Sequence, residues 1–454
     1  MLKRHFASGN LLRILSLLGD SHLGPCRRII RIRHHHHRRN FSHFSSSSTT
    51  TSSTKPADSP PRSKSDARGE LRSWQIHAYS GIDDLQASTS RIPPIKSPTD
   101  VLIRVHASSI NPIDIAMTRG YGADTLNLLR GLCSSEQSKG PFGLQSLKQL
   151  SLPFRRGATT IEFPLTLGRD FSGVIVQMGH EARGKHGLRV GDEVFGVVGV
   201  QRQGAHATYV ISSIDTIRQK PKNMSFLEAA AIPYVGLTTW AAIRVTGAFS
   251  NLNGKRFLVL GGSGGVGTFA VQYLKSQGTH VVTTCSSEAE ALMTSLGCDF
   301  VIDYKMQEFS EMVKHYSPYD CVLDLSGPTN YKKSLETIQY LKAVTGQYIT
   351  LSPPFLSNMD KFGFLGGAAK NVGDLLNSNY QSWNKGQSVT KWAFFIPNGA
   401  PLENFTDLLQ SKRIRPVIQE SFKFDETKDA YKRVDDGHLR GKIMLDMEDY
   451  VNSN

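Results

Sequence analysis

The chain has 454 residues and a formal net charge of +14, from 53 Lys and Arg against 39 Asp and Glu. Ten of the basic residues but only two acids fall among the first sixty residues, so the rest of the chain is only mildly basic. A nucleic-acid-binding protein concentrates positive charge on its folded surface, and this distribution argues against that class. No segment approaches the roughly eighteen consecutive apolar residues of a membrane-spanning helix.

The length predicts two or three domains. The five cysteines are scattered and form no Cys-x-x-Cys pair, which argues against a disulfide framework and against a structural zinc site. We therefore expect reduced thiols in an intracellular compartment.

Residues 1–66 have the composition of a targeting segment followed by a linker. Leu11, Leu12, Leu15 and Leu18 recur at helical spacing among arginines, and acids are scarce. Such a leader is typical of a mitochondrial presequence, and the Ser/Thr tract behind it is typical of a disordered linker. We predict a mitochondrial protein, in the matrix or associated with the outer membrane. A basic tail without a targeting function is the alternative.

Residues 67–220 are predicted to form a β-rich domain. The run "DVLIRVHASSI" alternates Val101, Ile103 and Val105 with polar neighbours, and "GVIVQMG", "GDEVFGVVG" and "AHATYVISS" are further short apolar runs. Several short strands separated by turn signals are typical of a partly open barrel. Residues 126–161 are rich in Ser, Gly and Lys without a clear period, and we expect a surface insertion there.

Residues 221–390 show a different pattern. The run "MSFLEAAAIPYVGLTTWAAIRVTGA" predicts a helix that begins with a capping box, since Ser225 stands three residues before Glu228. Five apolar runs then alternate with helical segments, which indicates a parallel, doubly wound sheet and an α/β fold class. The last segment, residues 391–454, is expected to return to the first domain, or else to join the parallel sheet.

The run "RFLVLGGSGGVGTFAVQYLKSQG" carries a Gly-x-Gly-x-x-Gly motif. Its members are Gly262, Ser263, Gly264, Gly265, Val266 and Gly267. A predicted strand precedes the motif, and an amphipathic helix and a second strand follow it, which is the context of a dinucleotide site. The glycines there permit a tight turn and a close approach of the pyrophosphate to a helix N-terminus. A glycine-rich turn without a ligand is the alternative.

The end of the second strand favours NADPH over NADH. A site for NAD usually places Asp or Glu about twenty residues after the glycines, but this strand ends in "TTCSS" and the next acids, Glu288 and Glu290, lie in the following helix. Ser286 is predicted to contact the 2′-phosphate. Tyr304 and Lys305 are predicted to add phosphate contacts, with a plain surface turn as their alternative.

Eight segments together resemble the quinone oxidoreductase branch of the medium-chain dehydrogenase/reductase family. They are "NPID", "FPLTLGRDFSGVIVQMG", "GDEVFGVV", "AAAIPYVGLTTWAAI", "VLGGSGGVGTFAVQYLKSQG", "VIDYK", "WAFF" and "GHLRGKIML". The likeness implies a GroES-like first domain, a Rossmann domain, and NADPH-dependent reduction of quinone-like acceptors linked to ubiquinone metabolism. It implies partners among ubiquinone-synthesis proteins or a reticulon, and it is compatible with a homodimer and a peripheral membrane contact.

The same resemblance implies a set of cofactor-binding residues. These are Thr238 facing the nicotinamide, Ser263, Gly264, Gly265, Val266 and Gly267 at the pyrophosphate, Ser286 and Tyr304 at the adenosine phosphate, Leu325 and Gly327 near the nicotinamide, and Phe394, His438, Leu439 and Arg440 in the C-terminal part. Relatives often carry a basic residue shortly after the position of Ser286. This chain has Glu288 there, a departure that counts against NADPH.

Zinc-dependent members of the family carry ligands at positions where this chain has other residues. Asn111 stands in place of a Cys, and Arg169 and Asp170 stand in place of His and Glu. Catalytic zinc needs three protein ligands and an open position, so we expect no metal site. Without a Lewis acid, the acceptor is expected to be electrophilic already, such as a quinone or an enone.

Asn111 and Tyr121 are the candidate catalytic residues. By resemblance both belong to the active-site mouth, where they could hydrogen-bond an acceptor carbonyl. The segment "NPID", with Asp114, is also a favourable turn, so a structural role of Asn111 stays open, as does protonation from solvent. The rival functions are a cofactor-binding scaffold and an NADPH sensor with little turnover.

Overall fold

The protein is described here by a computed structural model that covers residues 69–135, 162–327, 330–386 and 388–451. The predicted presequence and linker, residues 1–66, lie outside the described residues, as do residues 136–161 of the predicted insertion. Every candidate site residue named above lies within the described residues.

The first domain is built on short, mostly antiparallel strands. They are β1 (Glu70–Ile76), β2 (Gln86–Arg91), β3 (Asp100–Ile110), β4 (Leu165–Thr166), β5 (Asp170–Met178), β6 (Glu193–Val197), β7 (Tyr209–Ser213) and β8 (Ile217–Gln219). β1 lies between β2 and β4 in one sheet, and β3, β5, β6 and β8 follow one another in a second. The predicted alternation in β3 is confirmed over residues 103–106, where Ile103 and Val105 are fully buried and Arg104 and His106 are half-buried. At the start of the strand Leu102 is buried as well as Val101.

The segment predicted as a surface insertion begins as a helix. Two helices follow β3, namely α1 (Pro112–Thr118) and α2 (Ala123–Ser135). The Asp360 carboxylate accepts hydrogen bonds from the backbone N–H groups of Gly122 and Asp124 at the start of α2, at 2.7 and 3.3 Å. Arg130 forms a buried ion pair with Glu162 at 2.8 Å. This part is therefore an ordered helix whose Leu126 and Arg130 side chains are buried. Its composition did not predict the helix, because the side chains that hold it are distant in sequence.

The second domain contains one parallel sheet. Its strands are β9 (Arg256–Leu260), β10 (His280–Cys285), β11 (Phe300–Asp303), β12 (Cys321–Asp324), β13 (Gln347–Thr350) and β14 (Val389–Trp392). They lie in the order β11-β10-β9-β12-β13-β14, and every neighbouring pair is parallel. The predicted doubly wound α/β fold is thereby confirmed. The strand order reverses between β9 and β12, and ligands bind at such a switch point, beyond the carboxyl ends of the strands.

Ten further helices complete the described chain. They are α3 (Phe226–Ala230), α4 (Pro233–Trp240), α5 (Gly265–Ser276), α6 (Glu290–Ser295), α7 (Phe309–His315), α8 (Tyr331–Glu336), α9 (Phe355–Gly386), α10 (Ala400–Gln410), α11 (Thr427–Asp435) and α12 (Glu448–Val451). The predicted capping box is present at α3, where the Ser225 hydroxyl accepts from the N–H of Glu228 and the Glu228 carboxylate accepts from the N–H of Ser225.

One stretch of the described chain has the length and apolar composition to cross a membrane. It runs over Phe226–Thr246, and 72% of its most apolar window is buried inside the protein. Ala242 and Ile243 belong to the main hydrophobic core of the second domain. The stretch therefore serves as a core segment in this fold.

The C-terminal segment divides between the two sheets. β14 closes one edge of the parallel sheet, whereas β15 (Ile418–Lys423) and β16 (Lys442–Asp446) join the sheet of the first domain. β16 pairs antiparallel with the second half of β3, and β7 pairs with its first half. α11 packs beside them and contributes Tyr431 and Val434 to the core of the first domain.

A buried tyrosine–histidine pair holds α11 in place. His206 and Tyr431 are fully buried, and their side chains approach to 2.7 Å between Nδ1 and Oη. Burial lowers the pKa of His206, so the ring is neutral. Because Nε2 lies 3.1 Å from the carbonyl oxygen of Ser109 and donates to it, Nδ1 is the acceptor and the Tyr431 hydroxyl is the donor.

Replacing Tyr431→Phe removes this donor and leaves Nδ1 buried without a partner. We expect the free energy of unfolding to fall by about 1–3 kcal/mol, since an unsatisfied buried acceptor carries its full desolvation cost. Urea denaturation followed by circular dichroism measures the change. The control is Tyr209→Phe, at a half-buried position of β7. Equal stability of the two variants would contradict the assignment.

Candidate active site

The glycine-rich loop joins β9 to α5 and has the shape of an anion cradle. A Cβ at Gly267 would lie 2.5 Å from the carbonyl oxygen of Gly262, so the loop and helix pack too closely for any side chain. A Cβ at Gly264 would meet only the carbonyl oxygen of Gly261, at 3.8 Å. Gly264 is the N-cap of α5 and offers no side-chain cap to the first N–H groups. These groups suit a phosphate at the positive end of the helix dipole.

A cavity of about 240 Å³ opens beside this loop. Its lining residues are Ser263, Ser286, Glu288, Tyr304, Lys305, His438 and Arg440. The cavity unites four segments that are far apart in sequence, namely the glycine-rich loop, the ends of β10 and β11, and the turn before β16. Six residues predicted to contact the cofactor therefore share one concave surface, namely Ser263, Ser286, Tyr304, Lys305, His438 and Arg440.

The charge in this cavity is set by two cations and one carboxylate. The Arg440 guanidinium forms an ion pair with Glu288, and Lys305 lines the same cavity. Both members of the pair are largely solvent-accessible, so the pair itself contributes little to stability. Asp303, at the end of β11, accepts from the backbone N–H groups of Ser287 and Lys305 at 3.1 and 2.8 Å. Its carboxylate therefore shapes the wall of the cavity.

A second polar cluster positions the loop after β12. The buried Asp324 carboxylate accepts from the hydroxyls of Tyr348 and Ser326, at 2.6 Å each. The backbone N–H of Leu325 donates to the carbonyl of Leu260 at 3.0 Å. These bonds hold the predicted residues Leu325 and Gly327 beside the glycine-rich loop, at the switch point of the sheet.

Two partly buried tyrosines, Tyr121 and Tyr234, lie near one another. Burial raises the pKa of Tyr121, and the Asp360 carboxylate adds to the shift. Burial likewise raises the pKa of Tyr234, reinforced by Asp114 and Asp170. The Tyr234 ring stacks on Phe395 at 4.5 Å between centroids. Both phenols stay protonated near neutral pH, so their hydroxyls are available as donors.

One buried atom fits the predicted nicotinamide contact. Thr238 on α4 is 4% exposed, and its Oγ1 has no hydrogen-bond partner among the described residues. A buried hydroxyl is normally satisfied, so an unpaired one is consistent with a polar group supplied by a ligand. Together with the room beside Gly264, this atom indicates that the residues present fit a bound dinucleotide.

Two family models match the chain. One described as "Alcohol dehydrogenase GroES-like domain" covers residues 145–222, and one described as "Zinc-binding dehydrogenase" covers residues 296–445. The chain is 38% identical over 405 residues to a Drosophila melanogaster protein named NAD(P)H oxidoreductase RTN4IP1, mitochondrial, and the match covers 87% of this chain and 90% of that protein. This chain is a member of the medium-chain dehydrogenase/reductase family.

Other similarities agree with this membership. The Homo sapiens protein of the same name is 36% identical over 383 residues, which are 83% of this chain and 89% of that protein. The solved structure of a quinone oxidoreductase from Coxiella burnetii superposes with a TM-score of 0.63 at 25% identity, covering 84% of this chain and all of that one. This medium-chain reductase is thus an NAD(P)H oxidoreductase with quinone oxidoreductases among its structural neighbours.

In this medium-chain reductase, the positions that carry zinc ligands in some relatives form a buried network. Lys442 Nζ donates to Asn111 Oδ1 at 2.6 Å and lies 3.4 Å from Asp170 Oδ2. Asn111 Nδ2 donates to the same Asp170 oxygen at 2.9 Å. Burial lowers the pKa of Lys442, against the opposing effect of the nearby carboxylates. Among the described residues, no group of three His, Cys, Asp or Glu side chains stands ready to hold a metal ion.

This network bears on the two interpretations of Asn111. Asn111 is 1% exposed and its amide is engaged at both ends. The Asp114 carboxylate accepts from the N–H of Asn111 at 2.9 Å and from that of Gly168 at 3.0 Å. The segment "NPID" therefore has the hydrogen bonds of the structural turn. Of the two catalytic candidates, Tyr121 is more accessible to solvent than Asn111.

The remaining predicted residues occupy other surroundings. Phe394 packs edge-to-face on Phe355 at 5.2 Å, and the Val266 side chain packs on the core of the second domain. The Leu439 side chain packs on the core of the first domain, which leaves its backbone for any ligand contact. Sequence reasoning missed Lys442, although a lysine at the start of the apolar run "KIML" is an available signal of a buried charge.

The second and third glycines of the Gly-x-Gly-x-x-Gly motif, Gly264 and Gly267, are expected to respond differently to alanine. Gly264→Ala meets no clash, so stability is retained, but its methyl group fills the pyrophosphate space and weakens NADPH binding at least about tenfold. Gly267→Ala collides with the loop backbone and lowers both the melting temperature and the affinity. Thermal melting and fluorescence titration measure the two quantities. Unchanged binding in Gly264→Ala would refute the cradle.

Proposed function

We propose that this medium-chain reductase binds NADPH and reduces quinone-like or activated-alkene acceptors in mitochondria. The observation that carries the proposal is the cavity at the ends of β10 and β11, where Ser286, Lys305 and Arg440 line the wall and the one carboxylate among the described lining residues, that of Glu288, is ion-paired with Arg440. A site for NAD usually has an unpaired carboxylate at the end of its second strand. A guanidinium and an ammonium suit a 2′-phosphate, which charge-assisted hydrogen bonds recognise.

Each group of residues has a role in this proposal. The glycine-rich loop and the N-terminus of α5 bind the pyrophosphate, and Ser286, Tyr304, Lys305 and Arg440 bind the adenosine phosphate. The Thr238 hydroxyl orients the nicotinamide amide. When bound, NADPH supplies a hydride. Tyr121 donates a hydrogen bond to the acceptor carbonyl, while Tyr234 and Phe395 exclude water from the reacting face.

The buried network supports a reaction without zinc. Lys442 contacts Asn111 and Asp170, two of the positions that would have to hold the metal, and the third, Arg169, is itself a buried cation next to Asp114. A divalent cation there would be repelled by both. The acceptor is therefore proposed to be electrophilic by itself, as quinones and enones are.

The mitochondrial setting is supported by the relatives' names and by the composition of the leader. Proteins from Drosophila melanogaster and Homo sapiens are named mitochondrial NAD(P)H oxidoreductases, and a Caenorhabditis elegans relative is named reticulon-4-interacting protein 1. We extend this to a cleaved presequence, a matrix location and a place in ubiquinone synthesis. Ubiquinone-synthesis proteins or a reticulon are the proposed partners.

Turnover tests the proposed reaction. The full chain mixed with NADPH and a short-chain ubiquinone should oxidise NADPH, followed by its absorbance. Tyr121→Phe is expected to lower kcat about tenfold and leave NADPH affinity unchanged, because it removes one hydrogen bond to the acceptor only. Tight NADPH binding without turnover across a panel of quinones and enones would instead support a scaffold or a sensor.

Cofactor preference is tested at the ion pair in the cavity. Arg440→Gln should weaken NADPH binding about 10- to 100-fold and change NADH binding little, since only NADPH carries the 2′-phosphate. Glu288→Gln should strengthen NADPH binding several-fold by removing a repulsive carboxylate. Fluorescence titration with both cofactors measures these ratios. The control is Lys432→Gln, which makes the same charge change on the exposed face of α11. If Arg440→Gln weakened NADPH and NADH binding equally, the proposed preference for NADPH would be refuted.

A further inference from the structure

The long helix α9 has its polar face toward the protein and its apolar face toward solvent, which is the opposite of the usual arrangement. After a bend at Gly363, where φ is 69°, its solvent face carries an apolar stripe. The apolar stripe consists of Leu365, Ala369, Val372, Leu376, Tyr380 and Trp383. At 100° per residue these positions fall within about 80° of one another around the helix. Leu365, Leu376, Tyr380 and Trp383 are 69%, 61%, 67% and 59% exposed.

The inward face of α9 is polar because it covers the open edge of the parallel sheet. Asn379 uses its side-chain amide to donate to the carbonyl of Thr390 and to accept from the N–H of Thr390, both at 3.1 Å. Ser382 hydrogen-bonds the Thr390 hydroxyl, and Asn371 donates to the carbonyl of Phe355 at 3.1 Å. An open edge is a template for pairing with another chain. Here α9 blocks that pairing and presents the apolar stripe at the same end of the sheet.

The exposed area is large enough to form a stable interface. With full side-chain areas of about 150–250 Å², the apolar stripe and Phe362 expose roughly 700 Å². A contiguous apolar patch on a monomer is usually about 300–600 Å², whereas a standard protein–protein interface buries about 800 Å² per partner. Two such faces would bury roughly 1,400 Å² in total, within the range of specific dimers.

The order of side chains along the apolar stripe is self-complementary. In an antiparallel pair of α9 helices centred between Val372 and Gly373, Leu365 faces Tyr380 and Ala369 faces Leu376. Small residues thus lie at the centre, where two helix axes must approach to about 8–10 Å, and aromatic rings close the ends. A two-fold interface has this property, because each contact recurs with the partners exchanged.

We propose that the apolar stripe is a homodimer interface in which α9 packs antiparallel against α9 of a second copy. Charge favours this occupant over a membrane surface. Interfacial helices flank their apolar face with many Lys and Arg, whereas α9 has three Lys and no Arg in 32 residues. Lys370 is paired with Asp374, and exposed Asn377 and Gln381 are neutral. The proposal is independent of the proposed reaction.

The mass of the full chain in solution tests the interface. Sedimentation velocity over about 1–50 μM should show a dimer, since interfaces of this size bind with micromolar or tighter affinity. Leu376→Glu should raise the dimer dissociation constant at least about 100-fold by burying an unpaired charge in each half of the interface. Asn377→Glu adds the same charge one residue away, outside the apolar stripe, and should leave the dimer intact. Unchanged melting temperature and NADPH binding show that both variants are folded.

A charge pair tests the antiparallel register. Leu365→Glu and Tyr380→Lys should each give monomers, and the double variant should regain the dimer, because the two new charges then face each other across the two-fold axis. A parallel pair would bring like charges together and stay monomeric. A monomeric wild-type chain, a dimer that survives Leu376→Glu, or wild-type monomers that bind vesicles of phosphatidylcholine and cardiolipin through the apolar stripe would each overturn the proposal.

Discussion

The geometry of the site depends on one junction, at the start of β16. Gly441 donates its N–H to the carbonyl of Ser263 at 2.9 Å, which ties the turn before β16 to the glycine-rich loop. The next residue, Lys442, lies in the first domain's sheet and donates to Asn111. Gly441 has a φ of 104°, and a Cβ there would meet Val417, so only glycine fits. Two adjacent residues therefore join the cofactor loop to the buried polar network of the first domain.

The buried network has an electrostatic consequence for the chemistry. Lys442, Arg169, Asp114 and Asp170 are almost inaccessible to solvent, and burying charges is tolerable only when they are paired and hydrogen-bonded. Lys442 lies against Asp170 and Arg169 against Asp114, although Nε and Nη2 of Arg169 have no hydrogen-bond partner among the described residues. Burial lowers the pKa of both cationic side chains, and the carboxylates oppose that shift. Each cation thus lies against a carboxylate, and the same network fixes the side-chain amide of Asn111, one of the two catalytic candidates.

The open edge of the parallel sheet at β14 determines which face of α9 is exposed to solvent. Thr390 would leave a free N–H and C=O at that edge, and Asn379 satisfies both. A helix that does this must turn polar side chains inward, so its apolar positions are left on the outside. The same helix supplies Asp360, which caps α2 beside Tyr121. The edge of the sheet, the outer surface of α9 and the mouth of the site are therefore built on one element.

Much of the fold followed from local patterns. The alternation in β3, the capping box at Ser225 and the glycine-rich loop between a strand and a helix are local signals, because period, cap and turn each depend on neighbouring residues. The sequence by itself thus determined the β-rich and doubly wound parts, the dinucleotide loop and the pair of serines that follows β10. Composition did not reveal α2, since its cap and its buried ion pair come from Asp360 and Glu162.

The tertiary structure alone decided which distant residues meet. It brought Arg440 against Glu288, some 150 positions apart, and placed Lys442 on Asn111, over 330 positions away. It also turned the apolar side of α9 outward, which no helical pattern can specify, because periodicity shows that a helix has two faces without showing which one meets the core. Pairing across such separations depends on the path of the chain through both sheets, and short-range patterns carry no record of that path.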